Sequence, residues 1–190
     1  KSWQKGFTDG PSAHHAGSAP VGPGDLPAAL RFAFHKVSED FCATGSTDGT
    51  TAVVSVIVGD TLHVASVGDS RAVLCRSGVA VGITHDHKPE DDTELARITA
   101  VGGLVDFGGL ITPGGGNYLK CARSLGDREY KVGPRERHLI CAEPDIFTLE
   151  LTDADEFVVM FSDGTIRGIR RGSGDRTWTL LQTCLGPCRP

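Results

Sequence analysis

The sequence predicts a layered fold in which helices pack against antiparallel β-sheet. Residues 49–74 alternate β-branched runs with two Gly-Asp pairs, at residues 59–60 and 68–69, a pattern typical of strands joined by tight turns. The apolar content of residues 52–58 is too continuous for a strand with one face in water. Both faces of this meander should therefore be covered. A helix is indicated by apolar residues at helical spacing, namely Leu26, Leu30, Phe34, Val37 and Phe41.

The elements follow in order along the chain. The first helix should span residues 26–41, with Asp25 capping its first turn. The second helix begins after the acidic residues 90–92 and ends at the pair Gly102 and Gly103. Strands are predicted at residues 51–58, 61–67, 71–76, 79–83, 117–122, 146–151 and 157–161. Since the last of these is apolar throughout, it should be central in its sheet.

Composition and charge exclude several classes of protein. The 190 residues suit one domain with a real core, and the chain should be a monomer. A net charge of −5 argues against a nucleic-acid binder, and no apolar run reaches the roughly 20 residues of a membrane span. The six cysteines lack a Cys-x-x-Cys pair, so reduced thiols in an intracellular compartment are favoured over disulfides or zinc.

Two aspartates carry the first chemical inference. Asp163 comes just after the apolar strand 157–161, and Asp69 comes just after the strand 61–67. A carboxylate at the rim of a sheet can be aimed at a cation by the rigid strand behind it, and oxygen ligands suit Mg²⁺ or Mn²⁺. The alternative is that Gly-Asp and Asp-Gly are simply good turn pairs.

Three further patterns have both a functional and a structural interpretation. His85 and His87 alternate on an extended segment and would share a metal only if a third ligand joined them. Lys120 and Arg123 are candidates for binding a phosphate, although basic residues near loops are mostly solvated. The glycine-rich residues 104–116 lack the Lys-Ser or Lys-Thr of a phosphate-binding loop, which favours an exposed loop.

Six ordered motifs between residues 30 and 164 resemble those of the metal-dependent, type 2C protein serine/threonine phosphatases. The motifs are Asp48-Gly49-Thr50-Thr51-Ala52-Val53, Val67-Gly68-Asp69-Ser70-Arg71-Ala72-Val73-Leu74, Asp86-His87-Lys88-Pro89, Ala122-Arg123-Ser124-Leu125-Gly126-Asp127, Ala142-Glu143-Pro144-Asp145 and Phe161-Ser162-Asp163-Gly164. The resemblance implies an α+β fold, a four-layer αββα sandwich with two central antiparallel sheets flanked by helices, here incomplete at both ends.

The resemblance also implies a site and a reaction. In that family the aspartate matching Asp163 binds metal directly, and the one matching Asp69 lies beside the cluster and helps a further ion. Thr51 and Gly164 would lie near the metal site. Two Mg²⁺ or Mn²⁺ ions would activate a water that hydrolyses phosphoserine or phosphothreonine in phosphorylated protein substrates, with no covalent nucleophile.

The sequence departs from the family at both ends. The early Asp-Gly-His-Gly-Gly motif and the late Asp-Asn pair are absent, and Thr165-Ile166-Arg167 replaces the usual Leu-Trp-Asp. We therefore expect residues 1–25 to be loop or disordered, residues 26–168 to be a partial phosphatase-type domain, and residues 169–190 to be a divergent tail. Two functions stay open, a phosphatase whose remaining ligands lie elsewhere, and a non-catalytic phosphatase-like module that binds phosphoproteins or a partner.

Overall fold

The computed structural model of the chain describes residues 24–106, 109–111 and 118–165. The helices are α1 (Leu26–Ala43) and α2 (Asp92–Ala100), with short 3₁₀ turns at Arg128–Tyr130 and Arg135–Arg137. The strands are β1 (Gly49–Thr50), β2 (Ala52–Val58), β3 (Thr61–Val67), β4 (Arg71–Arg76), β5 (Val79–Gly82), β6 (Val105–Asp106), β7 (Gly109–Ile111), β8 (Tyr118–Leu119), β9 (Leu125–Gly126), β10 (Asp145–Glu150) and β11 (Asp155–Phe161).

Two three-stranded antiparallel sheets form the centre of the molecule. One has the strand order β10-β3-β2 and the other has the order β11-β4-β5. Side chains from β3 and β4 meet between the sheets in a core that includes Leu62, Val64, Ala72 and Leu74. The predicted α+β sandwich with two central antiparallel sheets is confirmed. The shorter strands form two small additional ladders, β1 with β9 and β6-β7-β8.

Helix α1 covers the outer face of the first sheet. Leu30 and Phe34 of the helix pack against Ala65 and Val67 of β3. The helix begins where the sequence predicts, since the Asp25 carboxylate accepts a hydrogen bond from the Ala28 amide at 3.0 Å. This packing uses the face of β3 opposite to the inter-sheet core, so β3 is buried on both sides, as expected for the meander.

The predicted meander is divided between the two sheets. β2 and β3 pair with each other, but β4 pairs with β11 and β5 in the facing sheet. The turn at residues 68–70 thus carries the chain across the sandwich. A Gly-Asp pair suits a hairpin turn and a crossing turn equally well, which is why the sequence does not distinguish them.

Two expectations about burial are wrong. β2 is not covered on both faces, because Ile57 is 59% and Val58 is 58% exposed. β11 is not central within the described part of the chain, where it pairs with β4 alone. Met160 of β11 is accordingly 45% exposed. An apolar strand at a sheet edge has the same sequence signature as a central one.

Several expectations fall on residues outside the described ranges. They concern residues 1–23, residues 107–108 and 112–116 of the glycine-rich stretch, residue 117 of the predicted strand 117–122, and residues 166–190, which include the tail 169–190 with Cys184 and Cys188. Within the described ranges the cysteines are free thiols, at Cys42, Cys75, Cys121 and Cys141. None of the helices in those ranges has the length and apolar character that crossing a bilayer requires.

Candidate functional site

Asp69 lies on the turn that crosses from one central sheet to the other. β3 ends at Val67 and β4 begins at Arg71, so residues 68–70 make the whole connection. Gly68 has a φ of +89°, a left-handed conformation that side chains disfavour. The Asp69 side chain is only 14% exposed. The carboxylate is therefore held at the end of the sandwich by two buried strands rather than by a free loop.

Thr51 packs directly against this turn. Its hydroxyl lies 2.8 Å from the Ser70 hydroxyl in a hydrogen bond. A Cβ on Gly68 would lie 2.2 Å from the Thr51 Cγ2 methyl. Thr51 therefore packs against the turn so closely that only a glycine fits at residue 68.

Asp163 and Gly164 follow β11, the strand that pairs with β4, and lie at the end of β11 that is next to the start of β4. In the antiparallel pair, Phe161 of β11 lies opposite Arg71 of β4. Asp69 precedes Arg71 by two residues and Asp163 follows Phe161 by two, so both aspartates leave the same end of one strand pair. The backbone turns helical at residues 163–165, where the Thr165 amide donates to the Ser162 carbonyl at 3.1 Å.

Lys88, which the sequence analysis did not single out as a site residue, contacts Asp69. The Lys88 ammonium forms an ion pair with the Asp69 Oδ2 atom, and the Lys88 side chain is 24% exposed. The Asp86-His87-Lys88-Pro89 motif is one of the six that carry the family resemblance. Its sequence alone does not show that the lysine reaches the carboxylate.

His87 joins the crossing turn to the interior. Its ring Nδ1 accepts a hydrogen bond from the Gly68 amide at 3.0 Å, so the ring proton belongs on Nε2, which donates to Asp145 Oδ2 at 3.1 Å. The His85 ring instead packs edge-on against Phe147, with centroids 5.8 Å apart. Both nitrogens of His87 are engaged, so the alternative in which His85 and His87 share a metal is wrong.

Arg123 pairs with two carboxylates, of which Glu94 is buried and Asp145 is partly exposed. Its guanidinium donates to the Glu94 carboxylate at 2.5 Å and to Asp145 Oδ1 at 2.8 Å. Burial raises the pKa of Glu94, but the Arg123 and Arg97 charges outweigh it, and the pKa of Glu94 is lowered. Arg123 is therefore an interior ion-pair residue rather than a phosphate ligand, whereas Lys120 is exposed.

Asp145 completes the network that supports the turn. Burial raises the pKa of its carboxyl, but the hydrogen bond from His87 and the Arg123 charge together lower that pKa to about 2. Asp145 begins β10, which pairs with β3, so the network ties both strands to the crossing turn. The sequence analysis did not identify Asp145 as part of a network, because partners so distant in sequence leave no local pattern.

Cys121 lies within the electrostatic reach of Asp69. Burial raises the pKa of its thiol to about 12, and the Asp127 and Asp69 carboxylates contribute to the rise. The thiol is fully protonated at neutral pH and so is a poor nucleophile.

The described residues do not form a complete site for a divalent cation. Mg²⁺ and Mn²⁺ prefer oxygen ligands such as aspartate carboxylates, and Asp69 and Asp163 both lie at one end of the pair formed by β4 and β11. Within residues 24–106, 109–111 and 118–165, however, no three His, Cys, Asp or Glu side chains converge as a metal site. The ammonium of Lys88 also already neutralises the Asp69 carboxylate.

The fold and its motifs agree with a family model described as protein phosphatase 2C, which matches residues 18–166. The chain belongs to the protein phosphatase 2C family. It is 44% identical over 135 residues to a probable protein phosphatase of Drosophila melanogaster, CG10417, covering 67% of this chain and 20% of that protein. It is 47% identical over 123 residues to human protein phosphatase 1G, covering 63% of this chain and 22% of that protein.

Solved structures support the fold of this phosphatase 2C family member. A C. elegans sex determining protein superposes with a TM-score of 0.63 at 22% identity, covering 78% of this chain and 36% of that chain. The serine-threonine phosphatase 2C of Toxoplasma gondii gives 0.58 at 18% identity, covering 78% of this chain and 56% of that chain. The chain spans about a fifth of the length of the two curated relatives.

Proposed function

We propose that this chain is the central part of a phosphatase that hydrolyses phosphoserine and phosphothreonine in proteins with Mg²⁺ or Mn²⁺. The observation that supports the proposal most is the register of β4 and β11, in which Arg71 lies opposite Phe161. That register fixes the backbones of Asp69 and Asp163 at one end of a rigid strand pair. Carboxylates that follow adjacent strands at one end of a rigid sheet are suited to a cation site at the sheet edge.

The chemistry of the reaction explains why such a site is needed. A phosphate monoester is anionic and its uncatalysed hydrolysis is among the slowest reactions known, so the catalyst must supply positive charge and a nucleophile together. A pair of divalent ions supplies both, because it holds the phosphate oxygens and acidifies a bound water. We assign Asp163 and Asp69 as carboxylate ligands, with Thr51 and Gly164 beside the site. The remaining ligands lie outside the described residues.

The proposal extends to the domain and its partners. Residues 26–168 are part of a phosphatase-type domain, and the tail 169–190 is divergent. The partners are phosphorylated proteins, and the chain acts as a monomer. The crossing turn is held by His87, whose ring contacts the Gly68 amide and Asp145. This support keeps Asp69 in one place, as ligands must be for catalysis.

A second function is favoured by one observation. Lys88 pairs with Asp69, and within the described ranges no third ligand joins the two aspartates. A chain in that state is suited to bind a phosphorylated partner without hydrolysing it. The alternative is therefore a non-catalytic phosphatase-like module that recognises phosphoproteins.

One experiment separates the two functions. A phosphothreonine peptide is incubated with the full-length protein that contains this chain, in Mn²⁺ and again with a chelator, and both phosphate release and peptide binding are measured. The phosphatase proposal expects release that the chelator stops and that Asp163→Asn abolishes. Asp153→Asn, at an exposed position in the turn before β11, is the matched control and should keep activity. Peptide binding without release would support the binding module instead.

A further inference from the structure

The ion pair between Lys88 and Asp69 is largely buried. Both side chains are largely shielded from water, with 24% of Lys88 and 14% of Asp69 exposed. An exposed pair of long side chains contributes little, because water screens it and the side chains lose entropy on pairing. A shielded pair is attracted more strongly, since the local dielectric constant is lower.

The backbone beside Lys88 is fixed relative to the turn that carries Asp69. The His87 amide donates to the Gly68 carbonyl at 3.0 Å, and the Gly68 amide donates to the His87 ring at 3.0 Å. The Ala122 amide donates to the His87 carbonyl at 2.8 Å. Three hydrogen bonds therefore hold the residue next to Lys88. The ammonium needs little further ordering to reach the carboxylate, so the pair forms at a low entropic cost.

We propose that Lys88 is a built-in counter-ion of Asp69, which competes with divalent cations and must move away before Asp69 binds one. The inference rests on the proposed role of Asp69 in cation binding. The Lys88 ammonium is paired with the Asp69 Oδ2 atom, which a bound cation would need as a ligand. It would also repel a dication brought to the same carboxylate.

The displaced ammonium has a place to move. Lys88 lines an open cavity of about 490 Å³, whose wall includes Asp86 and Asp91. The Asp91 carboxylate already accepts a hydrogen bond from the Lys88 backbone amide at 3.2 Å. The flexible four-carbon stem of lysine can therefore move its charge toward Asp91 without moving the backbone. Cation binding and release of Lys88 are then one coupled exchange.

The test is a Mn²⁺ titration of the 190-residue chain, followed by the electron paramagnetic resonance signal of free Mn²⁺. Lys88→Gln and Lys88→Met remove the competing charge and should bind Mn²⁺ at least about tenfold more tightly than the unsubstituted chain, given the strength of a shielded charge pair. Lys88→Arg keeps the charge and should bind as the unsubstituted chain does. Lys120→Gln removes a charge from an exposed lysine and is the matched control. Adding Asp69→Asn to Lys88→Gln should abolish the gain.

The outcomes distinguish this inference from the proposed function. Equal Mn²⁺ affinity with and without Lys88, together with a loss in Asp69→Asn, would overturn the competition and leave Asp69 as a ligand. If Asp69→Asn leaves the Mn²⁺ affinity unchanged, both with Lys88 present and with Lys88 replaced, the competition and the proposed role of Asp69 as a ligand are both overturned. Circular dichroism checks folding of each variant. Lys88→Met, which keeps the aliphatic stem and loses only the charge, decides the question if Lys88→Gln does not fold.

Discussion

The side chain that Gly68 lacks would overlap the methyl group of Thr51. A Cβ at Gly68 would lie 2.2 Å from Thr51 Cγ2 and 3.1 Å from the Arg123 carbonyl oxygen. Gly68→Ala should destabilise the chain by about 1–3 kcal/mol from overpacking and by about 1–2 kcal/mol more from its positive φ. Denaturant unfolding measures the sum.

Gly78 provides the control for that variant. It also has a positive φ, of +71°, but no atom lies within 4 Å of the position a Cβ would take. Gly78→Ala should therefore cost only the conformational part, about 1–2 kcal/mol. Equal losses of stability in the two variants would show that Thr51 does not pack against the crossing turn as described.

The central strand β4 and its neighbour β11 in the second sheet should differ in their sensitivity to truncation. Leu74 of β4 is 1% exposed in the inter-sheet core, whereas Met160 of β11 is 45% exposed. Leu74→Ala should cost about 2–5 kcal/mol through lost burial and a cavity. Met160→Ala should cost less, about 1 kcal/mol, since nearly half of the Met160 surface stays in water on folding. A larger loss of stability for Met160→Ala than for Leu74→Ala would contradict the finding that β4, and not β11, contributes the buried core residue.

Local sequence patterns predicted where each strand begins and ends better than they predicted which strands pair with one another. The bounds of β3 and β4 match the sequence prediction residue for residue, because alternating apolar runs end at glycine turns. The sheet to which each strand belongs depends on long-range packing, and Gly68-Asp69 gives the same signature in a hairpin and in a crossing. The edge position of β11 was missed for the same reason.

Some residues of the candidate site were likewise predicted from the sequence, and others were not. Asp69 and Asp163 were found from their position after apolar strands, together with the family motifs. Arg123 was missed as an interior residue because its partners, Glu94 and Asp145, are 29 and 22 positions away. Charge pairs at such separations have no periodic signal. Only the folded backbone shows that they meet.

Acid should weaken the network around Asp145. The folded pKa of this carboxyl is about 2, below its ordinary value of 3.8. A depressed folded pKa contributes stability that is present above the unfolded pKa and is lost as pH falls through the folded one. The stability difference between the unsubstituted chain and Asp145→Asn should thus be constant above about pH 5 and should shrink between pH 4 and pH 2.

Urea unfolding at several pH values measures this difference, with Asp153→Asn as control. Asp153 is exposed, and its substitution should leave the pH dependence of stability unchanged. A gap between the unsubstituted chain and Asp145→Asn that stays constant from pH 5 to pH 2 would contradict the linkage between Asp145 and its partners, His87 and Arg123.

The 190-residue chain alone should hydrolyse a small aryl phosphate weakly or not at all in millimolar Mn²⁺. Two carboxylates cannot hold two dications against water and mutual repulsion, and a third ligand is absent from the described ranges. A colorimetric assay of the purified chain measures the rate, and a chelator supplies the background. Robust turnover that the chelator abolishes would mean that the missing ligands are within these 190 residues.

The central claim, that Asp163 belongs to a cation site, is tested most directly by thermal melting of the chain and its Asp163→Asn variant. Each is melted with a chelator and with excess Mn²⁺. A ligand that binds only the folded state at about 100 times its Kd adds about 2.7 kcal/mol of stability. We expect Mn²⁺ to raise the Tm of the unsubstituted chain and to leave that of Asp163→Asn unchanged. The same Mn²⁺ shift in both proteins would contradict the account, because the bound cation would then not depend on Asp163.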